Sequence, residues 1–199
     1  MKTKFVLIFL FLFFMGFSQK NKRTFPKSDL ENEIGIEFNK YRKEYNDTIP
    51  QLTRLWILDS ASKYHNDYLA NINYNNPKNS FTFGHTEEKV MKGCVYTGTK
   101  PLLNTSRKRT KVYDKGDTLT NITEVIAVNN TINLFYRDTS VSINDIAKYV
   151  IKSWIDSPGH KSTLEMKKIH YFGVNVYVHK DNFIFVVLVV SSDFSKFGI

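Results

Sequence analysis

The chain has 199 residues, the size of one domain, and 42% of them are hydrophobic, enough to bury a core without covalent staples. A single cysteine, Cys94, excludes an internal disulfide; with no Cys-His motif around it, it reads as a small buried apolar side chain and not a nucleophile. The formal charge of +9 suits anionic surfaces such as envelope polymers, lipid headgroups or acidic glycans, whereas nucleic acid is excluded as a partner: the densest basic run, Arg107-Lys108-Arg109-Thr110-Lys111, has no interleaved aromatics and no binding motif, and reads as a solvated basic loop.

In chain order, Met1-Lys2-Thr3-Lys4 is followed by an almost wholly apolar run over 5–17, the charged start and apolar stretch of a secretory signal peptide. The expectation is a leader over 1–18 cut after Ser18, which removes Lys2 and Lys4 and lowers the charge to +7, with a secreted, periplasmic or extracellular product. An uncleaved anchor is the alternative. No lipobox cysteine accompanies the leader. Residues 19–27 read as a polar linker and 28–199 as the domain, in which no segment spans a bilayer; the apolar run over 183–190 is too short and reads as a buried strand.

Ser28-Asp29-Leu30-Glu31 has the pattern of a capping box, and Ile34, Phe38, Tyr41 and Tyr45 repeat behind it at helical spacing, so a first helix runs to Asn46-Asp47 and Pro50. Asp59 is placed to cap a second helix, with Ala61, His65, Tyr68, Leu69 and Ile72 on one face and His65 as a packed, hydrogen-bonded histidine. Residues 73–80 carry turn formers, and Phe81-Thr82-Phe83 leads to His85. Residues 86–120 hold no long periodic segment, which predicts either an extended excursion with short strands or an insertion. A short strand follows over 122–128. Ser142, answered by Asp145, caps a third helix whose face is Ile143, Ile146, Ala147, Val150, Ile151 and Trp154. Ser157-Pro158 then starts a further helix by a serine cap and a proline at its first position, which sets His160 in the first turn, where the helix dipole favours a neutral ring. Strands over 171–178 and 183–190 flank the turn His179-Lys180-Asp181-Asn182. Helices first, a hairpin last and strands between predict an α+β domain.

The stretch Trp154-Ile155-Asp156-Ser157-Pro158-Gly159-His160-Lys161 resembles the signature of bacterial CAP, or SCP-like, domains, relatives of cysteine-rich secretory proteins, antigen five and plant pathogenesis-related proteins. Asn39-x-x-Arg42, Ala61-x-x-x-His65, Gly84-His85 and Gly173-Val174-Asn175-Val176 agree with it in order, so the likeness runs over residues 30–192. It implies a CAP-type α–β–α sandwich with a central, mainly antiparallel sheet. It also implies a cleft holding two histidines and one or two acids, and in some members a divalent metal. Carried over, His85 and His160 match the histidines, and Glu124 matches the glutamate of the Gly-Glu-Asn motif, with Thr123 and Val125 in the flanking places. Glu87, Glu88 and Asp156 are the further candidate acids.

Two imidazoles and a carboxylate suit zinc or a similar cation, so His85, His160 and Glu124 form the expected metal set. The alternative is a buried polar cluster that braces the cleft walls. Three functions follow. The first is a secreted binding module for a small apolar ligand such as a lipid, or for a peptide or envelope fragment. The second is a metal-dependent hydrolase of peptides or esters with Glu124 as its catalytic base. The third is a structural or adhesive surface protein. No Gly-x-Ser-x-Gly supports a covalent route. Binding is the reading the altered Gly-Glu-Asn motif favours.

Overall fold

The computed structural model describes residues 24–76 and 81–193. The expected leader over 1–18 and the first part of the expected linker lie outside the described residues. The elements in order are helix α1 (Lys27–Tyr45), strand β1 (Thr53–Arg54) and helix α2 (Trp56–Asn73). A small hairpin of β2 (Val90–Met91) and β3 (Cys94–Val95) follows, then helix α3 (Ser106–Lys111), strand β4 (Leu119–Asn129) and helix α4 (Ile132–Arg137). Helices α5 (Ile143–Ile155) and α6 (Pro158–Leu164) precede strands β5 (Tyr171–Val178) and β6 (Ile184–Asp193).

The main sheet has the order β1-β5-β6-β4, antiparallel except for the two-residue β1–β5 pair. Strand β6 lies inside it, and every residue from Ile184 to Val190 is fully buried. Alternation along a strand sends successive side chains to opposite faces. Ile184, Val186, Leu188 and Val190 therefore join Ile34 and Phe38 of α1 and Val150 and Trp154 of α5, while Phe185, Val187 and Val189 join Leu58, Tyr68, Leu69 and Ile72 of α2. Helices on both faces explain why this strand reads as a continuous apolar run. The result is the expected α–β–α sandwich.

Several local expectations change in the folded chain. Ser142 and Asp145 form the capping box: the Asp145 amide donates to Ser142 Oγ (3.2 Å) and the Ser142 amide to Asp145 Oδ2 (2.9 Å). The box at Ser28 does not form, because α1 already starts at Lys27, and Glu31 turns to the sheet. Its Oε1 accepts from the Val176 amide at 2.9 Å, and Asp59, inside the first turn of α2 and not its cap, accepts from the Val174 amide at 2.8 Å. These two carboxylates satisfy the edge of β5 beyond the point where the short β1 stops. Arg54, between them, pairs with both.

Other differences are of burial. Phe25, in the expected linker, is buried edge-on against Phe135 of α4, a helix that the sequence pattern did not predict. Tyr45 is exposed, whereas Arg42 is buried and donates to the Leu164 and Met166 carbonyls at 2.7 and 2.9 Å, tying α1 to the end of α6. Asn39 grips the Leu52 amide and carbonyl. Cys94 is half-buried, with its thiol 2.7 Å from Asn76 Oδ1, and is not the apolar core residue expected. Residues 86–120 contain the β2–β3 hairpin and α3. The basic run is thus largely helix, with Arg109 fully buried. Among the described residues no helix is long and apolar enough to cross a membrane.

Candidate functional site

Helix α2 positions the segment that carries His85. Asn73 grips Thr82 through its amide and carbonyl at 2.7 and 2.6 Å, and His65 Nε2 lies 2.7 Å from the Gly84 carbonyl. Tyr68 closes the segment by contacting both the amide and the carbonyl of Glu88. Three side chains of one helical face thereby act as a rail for residues 82–88. His65 is buried and hydrogen-bonded, as its place on that face implies.

A cleft of about 560 Å³ opens beside this segment. Its walls include His85, Thr86, the start of α3 over Asn104, Thr105 and Ser106, Thr123 and Glu124 of β4, and Ser157, His160 and Thr163 around α6. The structure thus brings His85, Glu124 and His160 together. The two imidazoles stand edge to face with centroids 6.1 Å apart. Ser157 is the N-cap of α6, although its side chain makes no capping bond, so Pro158 and the chain direction, not a serine cap, set His160 in the first turn.

Glu124 is almost wholly buried, its side chain 3% exposed. Its Oε1 accepts from Arg109 Nη2 at 2.6 Å and sits 3.1 Å from His85 Nδ1, while Oε2 has no protein partner. Burial alone would raise the Glu124 pKa. The His85 hydrogen bond and the charges of His65 and Arg109 outweigh it and hold the carboxyl below its ordinary value. An ionised carboxylate only accepts, so His85 donates from Nδ1, and in the neutral ring Nε2 is then the atom with the lone pair. The His85 side chain is 52% exposed on the cleft wall.

His160 is held below the ordinary histidine pKa by burial and then by His85 opposite it. In the unfolded chain it protonates near the ordinary 6.5. The unfolded state therefore binds more protons in the window below that value, and the stability due to neutral His160, complete above it, is lost as pH falls towards the lower folded value. The expected result is a His160 ring titration by NMR with its midpoint below 6.5. A midpoint at or above that value would contradict the placement.

The other candidate acids do not reach the cleft. Glu87 is buried behind it, accepting from the Leu103 amide at 2.7 Å and contacting His65 Nδ1 at 3.0 Å. Glu88 is exposed beside Thr86, and Asp156 is an exposed partner of Lys152. The expected metal set also needs correction. Among the described residues no group of three or more His, Cys, Asp or Glu side chains is disposed to hold a metal ion. Glu124 is drawn back by Arg109, so it braces His85 from behind instead of standing beside it as a third ligand. What remains is a pair of imidazoles.

Arg109 is the residue that sequence reasoning missed. In a run of four basic residues nothing marks the one that is buried, and the only local signal is the Thr105 cap, whose Oγ1 accepts from the Lys108 amide and sets the phase of α3. A larger groove, about 790 Å³, runs between α1 and residues 47–54. It is lined by Ile36, Lys40, Lys43 and Ile49 among others and contains no histidine.

Comparison with known proteins adds the fold. Neither a protein-family model nor a curated protein matches the sequence. An outer surface protein from Borrelia burgdorferi is similar in structure at 18% identity with a TM-score of 0.55, over 83% of this chain and 93% of that one. A cysteine-rich secretory protein from Staphylococcus aureus gives 14% identity and a TM-score of 0.46, over 84% of this chain and 39% of that one. A venom allergen-like protein from Schistosoma mansoni gives 8% and 0.41, over 84% and 88%. The first likeness carries the fold and nothing finer.

Proposed function

We propose that this chain, whose fold is of the CAP type, is an exported binding module in which His85 and His160 hold a divalent cation and the hydroxyl- and amide-lined cleft receives a polar, envelope-derived ligand. The observation that carries this reading is the setting of His85: its Nδ1 is engaged by buried Glu124, and its ring stands 6.1 Å from that of His160, centroid to centroid. A carboxylate behind a histidine is the usual way a protein fixes the tautomer and orientation of a metal-binding ring. Zinc is the best chemical match for two imidazoles, and when bound it would supply a Lewis-acidic point of attachment for a ligand oxygen. Thr86, Asn104 and Thr163 would orient that ligand. Export rests on the apolar leader pattern over 1–18.

Binding fits better than hydrolysis because of the state of Glu124. A general base works best with a pKa near the working pH. Glu124 is held below the ordinary carboxylate value and paired with Arg109, so it is a weak base at neutral pH.

Zinc calorimetry on the full mature chain tests the reading. His85→Ala and His160→Ala are each expected to weaken zinc binding by more than about 100-fold, beyond the 10–100-fold loss typical of changes behind a ligand. Glu88→Gln, exposed and off the cleft, leaves the affinity unchanged. His65→Ala is no neutral control, since His65 holds the Gly84 carbonyl. Affinity falls as pH drops below about 6, where protons compete for the rings. Equal affinity in wild type and His160→Ala would sink the site.

A further inference from the structure

We propose that Arg109 is the positioning residue of the cleft: it locks Glu124 and the main chain around His85 together, and through them fixes the His85 ring that faces His160. The proposal rests on the binding reading above for its consequence, but not for its geometry. The Arg109 side chain is fully buried. Nη2 donates to Glu124 Oε1 at 2.6 Å and Nη1 to the Leu103 carbonyl at 2.8 Å. Both also reach the His85 carbonyl, at 3.3 and 3.4 Å, and Nη1 lies 3.5 Å from Glu87 Oε1. One planar fork therefore joins four pieces of chain: α3, the 85–87 segment, Leu103 and β4.

Glu87 completes the arrangement from the other side. It contacts His65, which also holds Gly84, so the residues before and after His85 are anchored to α2 while its carbonyl is anchored to Arg109 directly and its side chain through Glu124. Two carboxylates, one guanidinium and the His65 ring thus share a buried site. Buried ion networks are poor sources of stability, because the cost of stripping water from the charges cancels much of the attraction. What such a network does supply is direction. The acceptors converge on the fixed fork of a guanidinium, and a lysine ammonium, a single point charge on a flexible stem, cannot bridge the same set.

The test compares wild type with Arg109→Lys in the full mature chain, reading the His85 tautomer from its ring nitrogen resonances and zinc affinity by calorimetry. Wild type should show a single His85 tautomer protonated on Nδ1. The lysine variant should stay folded, show mixed His85 tautomers and lose about 10–100-fold in zinc affinity, as for other groups that orient a ligand from behind. His179, buried and with none of the contacts of this network, meets the Asn73 carbonyl instead and should be unchanged as the internal control. Arg109→Gln is the second variant, expected to give the same loosening without the charge. A single Nδ1-protonated tautomer and wild-type affinity in either folded variant would overturn the proposal. So would a wild-type His85 ring protonated on Nε2 or mixed between tautomers, whatever the variants do. If wild type takes no zinc yet its His85 tautomer is fixed and loosens in the variants, the positioning role stands and the cation reading falls.

Discussion

Gly173→Ala is expected to destabilise the domain by about 3 kcal/mol or more, because overpacking and broken hydrogen bonds act at one point. Gly173 lies in β5 opposite Val189 of β6, with its α-carbon pressed against the start of α2. A Cβ there would fall 2.1 Å from both the Asp59 nitrogen and the Leu58 carbonyl carbon, and 2.5 Å from Leu58 Cβ. Two of these are main-chain atoms, so no side-chain rotation relieves the clash. Helix and strand would have to separate, and that movement strains the Ser62 bond to the Gly173 carbonyl and the Asp59 bond to the Val174 amide. Since α2 also carries the rail for His85, loosening of the cleft should accompany the loss. Urea unfolding with a midpoint shift worth less than roughly 1 kcal/mol would show that the helix does not sit this close to the strand.

The second large effect is at Trp154. The ring is 1% exposed and packs in the core shared by α1, α5 and the sheet, so Trp154→Ala should cost about 3–5 kcal/mol. Its indole nitrogen has no protein partner. A buried donor left unpaired is itself a cost, so Trp154→Phe, which removes that donor and keeps most of the apolar volume, should lose less than about 1.5 kcal/mol. Thermal or chemical unfolding of the two variants separates the contributions. A cost near that of the alanine variant for phenylalanine would mean that the nitrogen is satisfied, and a cost below about 1 kcal/mol for alanine would remove Trp154 from the core.

The sequence by itself determined the features that depend on near neighbours. The apolar faces of α1, α2 and α5, the Ser142–Asp145 box, the buried run of β6 and the hairpin through His179–Asn182 all follow from periodicity and turn chemistry, which act within a few residues. The pair His85 and His160, taken from the likeness of short motifs, also met in one cleft. Tertiary structure decided the charged groups. Glu31 had a local choice, the amides near Ser28, and a distant one, the Val176 amide of an unfinished sheet edge; the edge won because a buried strand amide must be paired. Arg109 looked no different from its neighbours, and only the arrival of Glu124 on β4 and Glu87 beside α2 made it the buried one. The same meeting turned Glu124 from a candidate ligand or base into a brace for His85. Apolar periodicity is written in local spacing, whereas the partner of a charge is fixed by which segments the fold brings within about 3 Å, where burial leaves few alternatives.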